Sequence, residues 1–182
     1  MPLIDSTYFV DEIQIAGLEN TVDSTGSKVS GFINKYETRY LKELLGDDLY
    51  NSFIAGLEED PVLPKWTALL NQLVNSETKE SPIANYVYYY YSRNKATETV
   101  GIGEMKPNTE NGSMASAVQK QVRAWNEMVD WNFEVAKFIS ENEDDYGPFR
   151  WINYHFHNDD ILDAIGVKCK TELFRKKNTL GL

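Results

Sequence analysis

The stretch SPIANYVYYYYSRN, Ser81–Asn94, places five tyrosines in six positions: Tyr86 and Tyr88 to Tyr91. Its composition leans to a strand, since tyrosine and valine suit a pleated surface. Its flanks lean to a helix. Ser81 is a good cap and Pro82 a good first helical residue. Ile83, Val87, Tyr90 or Tyr91, and Asn94 follow at helical steps, and the spacing predicts a helix over about residues 82–99. On that helix Tyr88, Tyr89 and Tyr91 spread around the rod. A helix apolar around most of its girth is surrounded by protein. Either it is the central helix of one subunit, or a neighbouring subunit covers part of it. The number of rings favours the second arrangement, because a tyrosine ring buries area while its hydroxyl stays wet.

Helical periodicity continues outward. Val29, Phe32, Ile33, Tyr36, Tyr40, Leu41, Leu44 and Leu45 recur at three- and four-residue steps, with Ser27 or Ser30 as a cap and Gly46 as a left-handed stop. Asp47 caps a second helix carrying Leu49, Phe53, Ile54 and Leu57. Pro64 opens a third, burying Trp66, Leu69, Leu70 and Leu73. Residues 114 to about 142 form the longest helix, about 40 Å at 1.5 Å per residue. Lys120, Arg123, Glu127, Asp130, Glu134, Lys137 and Glu141 make its wet stripe, with Arg123–Glu127 and Glu134–Lys137 at pairing distance. Val118, Val122, Trp125, Met128, Val129, Trp131, Val135, Phe138 and Ile139 lie on the wide opposite face.

Between these helices, residues 100–113 (VGIGEMKPNTENGS) are a long connection, with Asn111-Gly112 suited to a small hairpin. Phe9, Ile13 and Ile15 alternate weakly and predict a short strand. The expected fold is therefore mainly α: a bundle of four to five helices over residues 29–167, an N-terminal strand or arm over 1–28, and an extended basic C-terminal arm over 168–182.

The 182 residues suffice for one domain with its own core. The chain is 42% hydrophobic and 13% aromatic, with a net charge of −10. The C-terminal segment holds Lys168, Lys170, Arg175, Lys176 and Lys177 against Glu172, so the rest of the chain is more acidic still. Such a body will not wrap nucleic acid through its phosphates. A basic tail on it suits an acidic protein surface. No apolar run approaches the ~20 residues of a membrane span. The start, MPLIDSTYFVDE, lacks the features of a signal peptide, which predicts a cytosolic origin without membrane association.

Chemistry is thin. Cys169 is the single cysteine, so no internal disulfide or cysteine-rich zinc site can form. His155 and His157, with Asp159 and Asp160, could form a metal site on paper, but H-x-H converges on a strand and no third strong ligand is near. Packed or surface histidines are the simpler reading. No nucleophile elbow, HExxH or phosphate-binding loop is present, so neither an enzyme nor a cofactor is expected.

Four stretches together resemble a known family: FINKYETRYLKELLGDDLYNSFIAGL (32–57), SPIANYVYYYYSRNKATETVGIGEMKP (81–107), AVQKQVRAWNEMVDW (117–131) and PFRWINYHFHND (148–159). They are similar to small head–tail connector, or ring, proteins of tailed bacteriophages infecting Bacteroidetes, including the crAss-like group. The resemblance implies a structural virion protein at the head–tail interface. Its subunits would form a homo-oligomeric ring, commonly a dodecamer, below the portal protein. The ring would extend the channel through which DNA passes without sequence-specific binding, and would offer a platform for other tail proteins. In that setting Tyr88, Tyr89, Tyr91 and Trp131 are the expected inter-subunit residues. Lys168, Lys170, Leu173, Phe174, Arg175, Lys176 and Lys177 form the expected portal-docking arm. Glu58, Glu59, Asp60, Glu141, Glu143, Asp144 and Asp145 are candidates for an acidic channel lining that repels phosphate. Two other readings remain open: a tail-completion or other adaptor protein lower in the stack, and a non-viral helical interaction module.

Overall fold

A computed structural model describes residues 2–18, 25–95, 98–100, 103–105, 114–147 and 172–177. The tyrosine stretch is helical: α4 runs Pro82–Lys95. Ser81 caps it as expected, its Oγ accepting from the Ile83 N–H at 3.1 Å and donating to the Leu73 carbonyl at 2.8 Å. The helix lies between α1, Thr25–Leu45, and α5, Met114–Glu141. Along α1, Phe32 meets Tyr91 (ring centroids 5.4 Å), Tyr36 stacks on Tyr90 (4.5 Å) and Tyr40 meets Tyr86 (5.4 Å), so α1 and α4 run antiparallel. On the other side Trp125 packs on Tyr89 at 4.6 Å, while Asn85 reaches Glu127 at 3.4 Å. Hence α5 is also antiparallel to α4, and parallel to α1.

This arrangement corrects the reading of the tyrosines. Tyr86, Tyr88, Tyr89 and Tyr91 are only 0%, 8%, 3% and 6% exposed within a single chain. They form the core, not a surface awaiting a neighbour. Tyr90 is the half-buried one. The shielding comes partly from helices on two sides and partly from cations laid over the ring faces. Arg39 covers Tyr90 at 5.5 Å, Arg93 covers Tyr89 at 5.4 Å, and Lys95 covers Tyr91 at 5.9 Å. Lys177 covers both Tyr89 and Trp125, at 5.5 and 4.6 Å.

Two shorter helices follow α1. Gly46 has φ 78°, a conformation open to glycine, and it stops α1 where the sequence predicts. Then come α2, Asp47–Leu57, and α3, Pro64–Leu73; α3 starts as expected, whereas Asp47 is already the first residue of α2 and Gly46 takes the cap position without a side-chain bond. Gly56 lets the Trp66 ring lie directly against α2, where any Cβ would overlap the indole. A short helix, α6 (Glu143–Tyr146), follows α5.

The termini depart from expectation. Residues 2–18 form no strand. They make two 3-10 turns, Ser6–Tyr8 and Asp11–Ile13, because the Asp5 carboxylate accepts from the Thr7 N–H at 2.8 Å and bends the chain. Ile4, Tyr8, Phe9, Ile13 and Ile15 are buried, so this segment belongs to the core and is not a free arm. The boundary expected at residue 29 falls inside α1, which starts at Thr25; Ser30 does not cap it but donates back to the Gly26 carbonyl. Arg123 pairs with Glu12 of the N-terminal segment (3.1 Å), not with Glu127 as its spacing suggested.

The connection after α4 is not a plain loop either. The helix stops at Lys95, and Glu98–Val100 pairs antiparallel with Gly103–Met105. Thr99 and Val100 suit a strand better than a helix end. The hairpin suggested at Asn111-Gly112 lies outside the described residues.

The C-terminal arm is likewise a strap on the bundle over the part described. Leu173 is fully buried, and Phe174 meets Phe133 at 5.3 Å. The carbonyls of Leu173, Arg175 and Lys177 accept from Asn132 Nδ2 (2.7 Å), Trp125 Nε1 (2.7 Å) and Asn126 Nδ2 (3.1 Å). Lys176 pairs with Asp130 at 2.6 Å. Leu173 is therefore spent on the core and is not available to dock on another protein, whereas Phe174 stays half-buried.

Candidate interaction surfaces

The seven acidic residues proposed as a lining, Glu58, Glu59, Asp60, Glu141, Glu143, Asp144 and Asp145, are all exposed. The structure brings their two clusters to one end of the bundle. The α2–α3 turn and α6 are tied together there: Tyr146 Oη donates to the Lys65 carbonyl at 2.7 Å, and Lys65 Nζ donates to the Asp145 carbonyl at 3.1 Å. The Trp66 and Tyr146 rings lie 6.1 Å apart beneath them. Among the described residues, none of the seven carboxylates is in a salt bridge. At the same end Val62 and Leu63 stand out, 37% and 45% exposed, between Pro61 and Pro64.

A second surface lies on the flank and far end of the bundle. Lys35 sits over Tyr36 at 5.0 Å, and Arg39 over Tyr90. Tyr36 and Tyr90, stacked and half-buried, form an apolar strip between these cations. Arg93 and Lys95 crown the end of α4, where cations also oppose the negative end of the helix dipole. Glu43, hydrogen-bonded to Arg39 at 2.7 Å, holds that guanidinium's pKa above its ordinary value. This cationic surface on an acidic protein was not foreseen, although the i, i+4 step of Lys35 and Arg39 was visible in the sequence.

Of the four expected inter-subunit residues, Tyr88, Tyr89 and Tyr91 are thus withdrawn from the surface. Burial pushes the phenol pKa of Tyr88 and Tyr91 upward. Trp131 keeps a half-buried ring, but its indole N–H donates to the Gln72 carbonyl at 2.7 Å and so joins α5 to α3. Of the arm residues, Arg175 and Lys176 remain exposed, while Lys168 and Lys170 lie outside the described residues. So do His155, His157 and Cys169.

Two buried polar side chains escaped the sequence reading. Asn132, fully buried, accepts from Tyr40 Oη at 2.5 Å while donating to the strap. It joins α1, α5 and the C-terminal segment in one chain of hydrogen bonds. Glu37 accepts from the Leu3 N–H at 2.9 and 3.0 Å and from the Ile4 N–H at 3.3 Å. Burial raises its pKa, against the lowering effect of those bonds. Both positions lie on apolar helical stripes, Ile33–Glu37–Leu41 and Met128–Asn132–Val135. A polar residue on such a stripe is the signal that marks them.

Among the described residues no three metal-type ligands cluster, and no helix is long and apolar enough to cross a membrane. No family model matches the chain, and no curated protein or solved structure matches it either.

Proposed function

We propose that the chain is a structural head–tail connector of a tailed phage virion. In this reading it assembles as a ring below the portal protein, continues the DNA channel and joins it to the tail. The observation that carries the reading is the similarity of the four quoted stretches to that family. Support comes from where three of them fall. Residues 32–57 cover most of α1 and all of α2, 81–107 cover α4, and 117–131 cover the half of α5 that packs on α4. The resembling segments are thus the ones that meet one another in the bundle, as expected if the likeness reflects a shared framework.

The carboxylates at the end of α5 and on α6, Glu141, Glu143, Asp144 and Asp145, would face the DNA path. Fixed negative charge there keeps phosphates from adhering. Contact with the portal cannot use the buried Leu173 and would fall to other residues. The test is to mix the purified chain with the portal protein of the phage that encodes it and to image the mixture by electron microscopy; the absence of a portal gene from that genome would equally overturn the reading. An added ring on the portal supports the reading. Separate particles, with no ring on any portal face, overturn it.

A further inference from the structure

We propose that the cationic strip on α1 and α4, comprising Lys35, Arg39, Arg93 and Lys95 with the rings of Tyr36 and Tyr90, receives the α2–α3 tip of a second copy of this chain. The tip offers Glu58, Glu59 and Asp60 beside the exposed Val62 and Leu63. The inference rests on the assembling role proposed above and specifies its contact.

The charge distribution carries the argument. Among the described residues Glu43 is the one carboxylate in salt-bridge contact with the four cations of the strip. Among the described residues the tip and its α6 neighbours have no salt-bridge partner. The two surfaces cannot neutralise each other within one subunit. Because α1 and α5 run parallel and α4 opposite, Tyr89 lies beside Trp125 and the rest of α4 leads further from Glu141, where the acidic end begins. Trp125 and Glu141 are sixteen residues apart on one helix, about 24 Å along its axis. Screening at physiological salt acts over roughly 8 Å. The complementary partner for each surface is therefore on another molecule, and two copies of this chain supply both.

Apolar chemistry matches as well. Val62 and Leu63 would meet the half-buried Tyr36–Tyr90 strip, giving the contact an apolar centre and a charged rim. The contact is heterologous, since each copy uses one surface to give and the other to receive, and such contacts propagate into rings or filaments. It also moves Glu58, Glu59 and Asp60 from the channel wall to the interface and leaves the carboxylates at the end of α5 and on α6 free.

The test uses two charge-reversal variants of the full chain, Lys35→Glu with Lys95→Glu and Glu58→Lys with Glu59→Lys, checked for folding by circular dichroism. In sedimentation velocity each variant alone is expected to be monomeric at concentrations where the wild-type chain associates. Mixed in equal amounts they should associate again, because each retains the surface the other has lost and the two reversed surfaces are themselves opposite in charge. The pairing is overturned if either variant assembles like wild type, if the mixture stays monomeric, or if the wild-type chain never self-associates. Portal binding by the wild-type chain, measured in parallel, separates the outcomes: binding together with any of these failures removes this interface and leaves the connector role standing.

Discussion

Replacing Leu173 by alanine should loosen the C-terminal strap while the helices stay folded. The side chain is fully buried, and truncating such a leucine costs about 2–5 kcal/mol in transfer and cavity terms. The strap is also held by four hydrogen bonds that Arg175, Lys177 and Leu173 make to Trp125, Asn126 and Asn132, by the Lys176–Asp130 pair and by the Phe174–Phe133 contact. It can therefore open as a local unit. The loss then falls on docking, and the open population rises about 30- to 4,000-fold at 1.4 kcal/mol per decade. Trypsin reads this directly, since Arg175, Lys176 and Lys177 are its cleavage sites. When opening is fast compared with cleavage, the rate follows the open population. Leu173→Ala should be cut faster by that factor, with a change in Trp125 fluorescence as its indole loses the Arg175 carbonyl. Leu173→Met, which conserves volume, costs under about 1.5 kcal/mol and should stay within about tenfold of wild type. Equal cleavage rates for wild type and Leu173→Ala would refute the docked strap.

Four further outcomes follow from the packing. Tyr40→Phe leaves the buried Asn132 Oδ1 without its donor and should lower unfolding stability by about 1–3 kcal/mol in urea titrations. Gly56→Ala gains helix propensity but drives a methyl into Trp66, so a net loss of about 1–3 kcal/mol is expected, and a thermal midpoint at or above wild type would contradict the close approach. Glu37 has a folded pKa raised by burial, so its contribution is fully present below the unfolded carboxylate value of about 4.3 and is lost as pH rises through the folded value. Glu37→Gln should remove that loss, so the stability of wild type relative to the variant falls with rising pH across this window; a constant difference from pH 3 to 8 would show that Glu37 does not titrate in the fold. Tyr89→Ser should destabilise the monomer itself, seen as a lower urea midpoint at dilutions where no association occurs.

Much of the helical framework was legible because its signals are local. Ser81-Pro82, Gly46-Asp47 and Pro64 each act on the nearest turn, and the structure places helix boundaries at all three. The three- and four-residue stripes of α1 and α5 likewise mark their buried sides. The ends of the chain were not legible in this way. Phe9, Ile13 and Ile15 alternate weakly, but the Asp5–Thr7 bonds turn the backbone before a strand can extend, and Glu37 secures Leu3 and Ile4 from thirty-odd residues away. The basic C-terminal segment looked like a free arm because its charge is conspicuous. What fixes it is one leucine and three side-chain donors on α5, a long-range match that no window of sequence contains.

The tyrosines show why composition alone misjudged the surface. Counting rings treats each as needing equal cover from another apolar group. In the bundle the edges and faces of these rings are closed instead by lysine and arginine side chains, whose stems are apolar and whose charges stay in water. Arg39 and Arg93 each cap a ring of α4, Lys95 another, and Lys177, from the far end of the chain, lies over Tyr89 as well and over Trp125 of α5. A tyrosine-rich helix can thus be finished within one subunit when cations flank it, and the same cations leave a positively charged outer surface. Any need for a second copy therefore comes from charge rather than from surplus aromatic area. Raising the salt concentration should accordingly weaken association of the wild-type chain, whereas an interface built on tyrosine burial would hold or tighten.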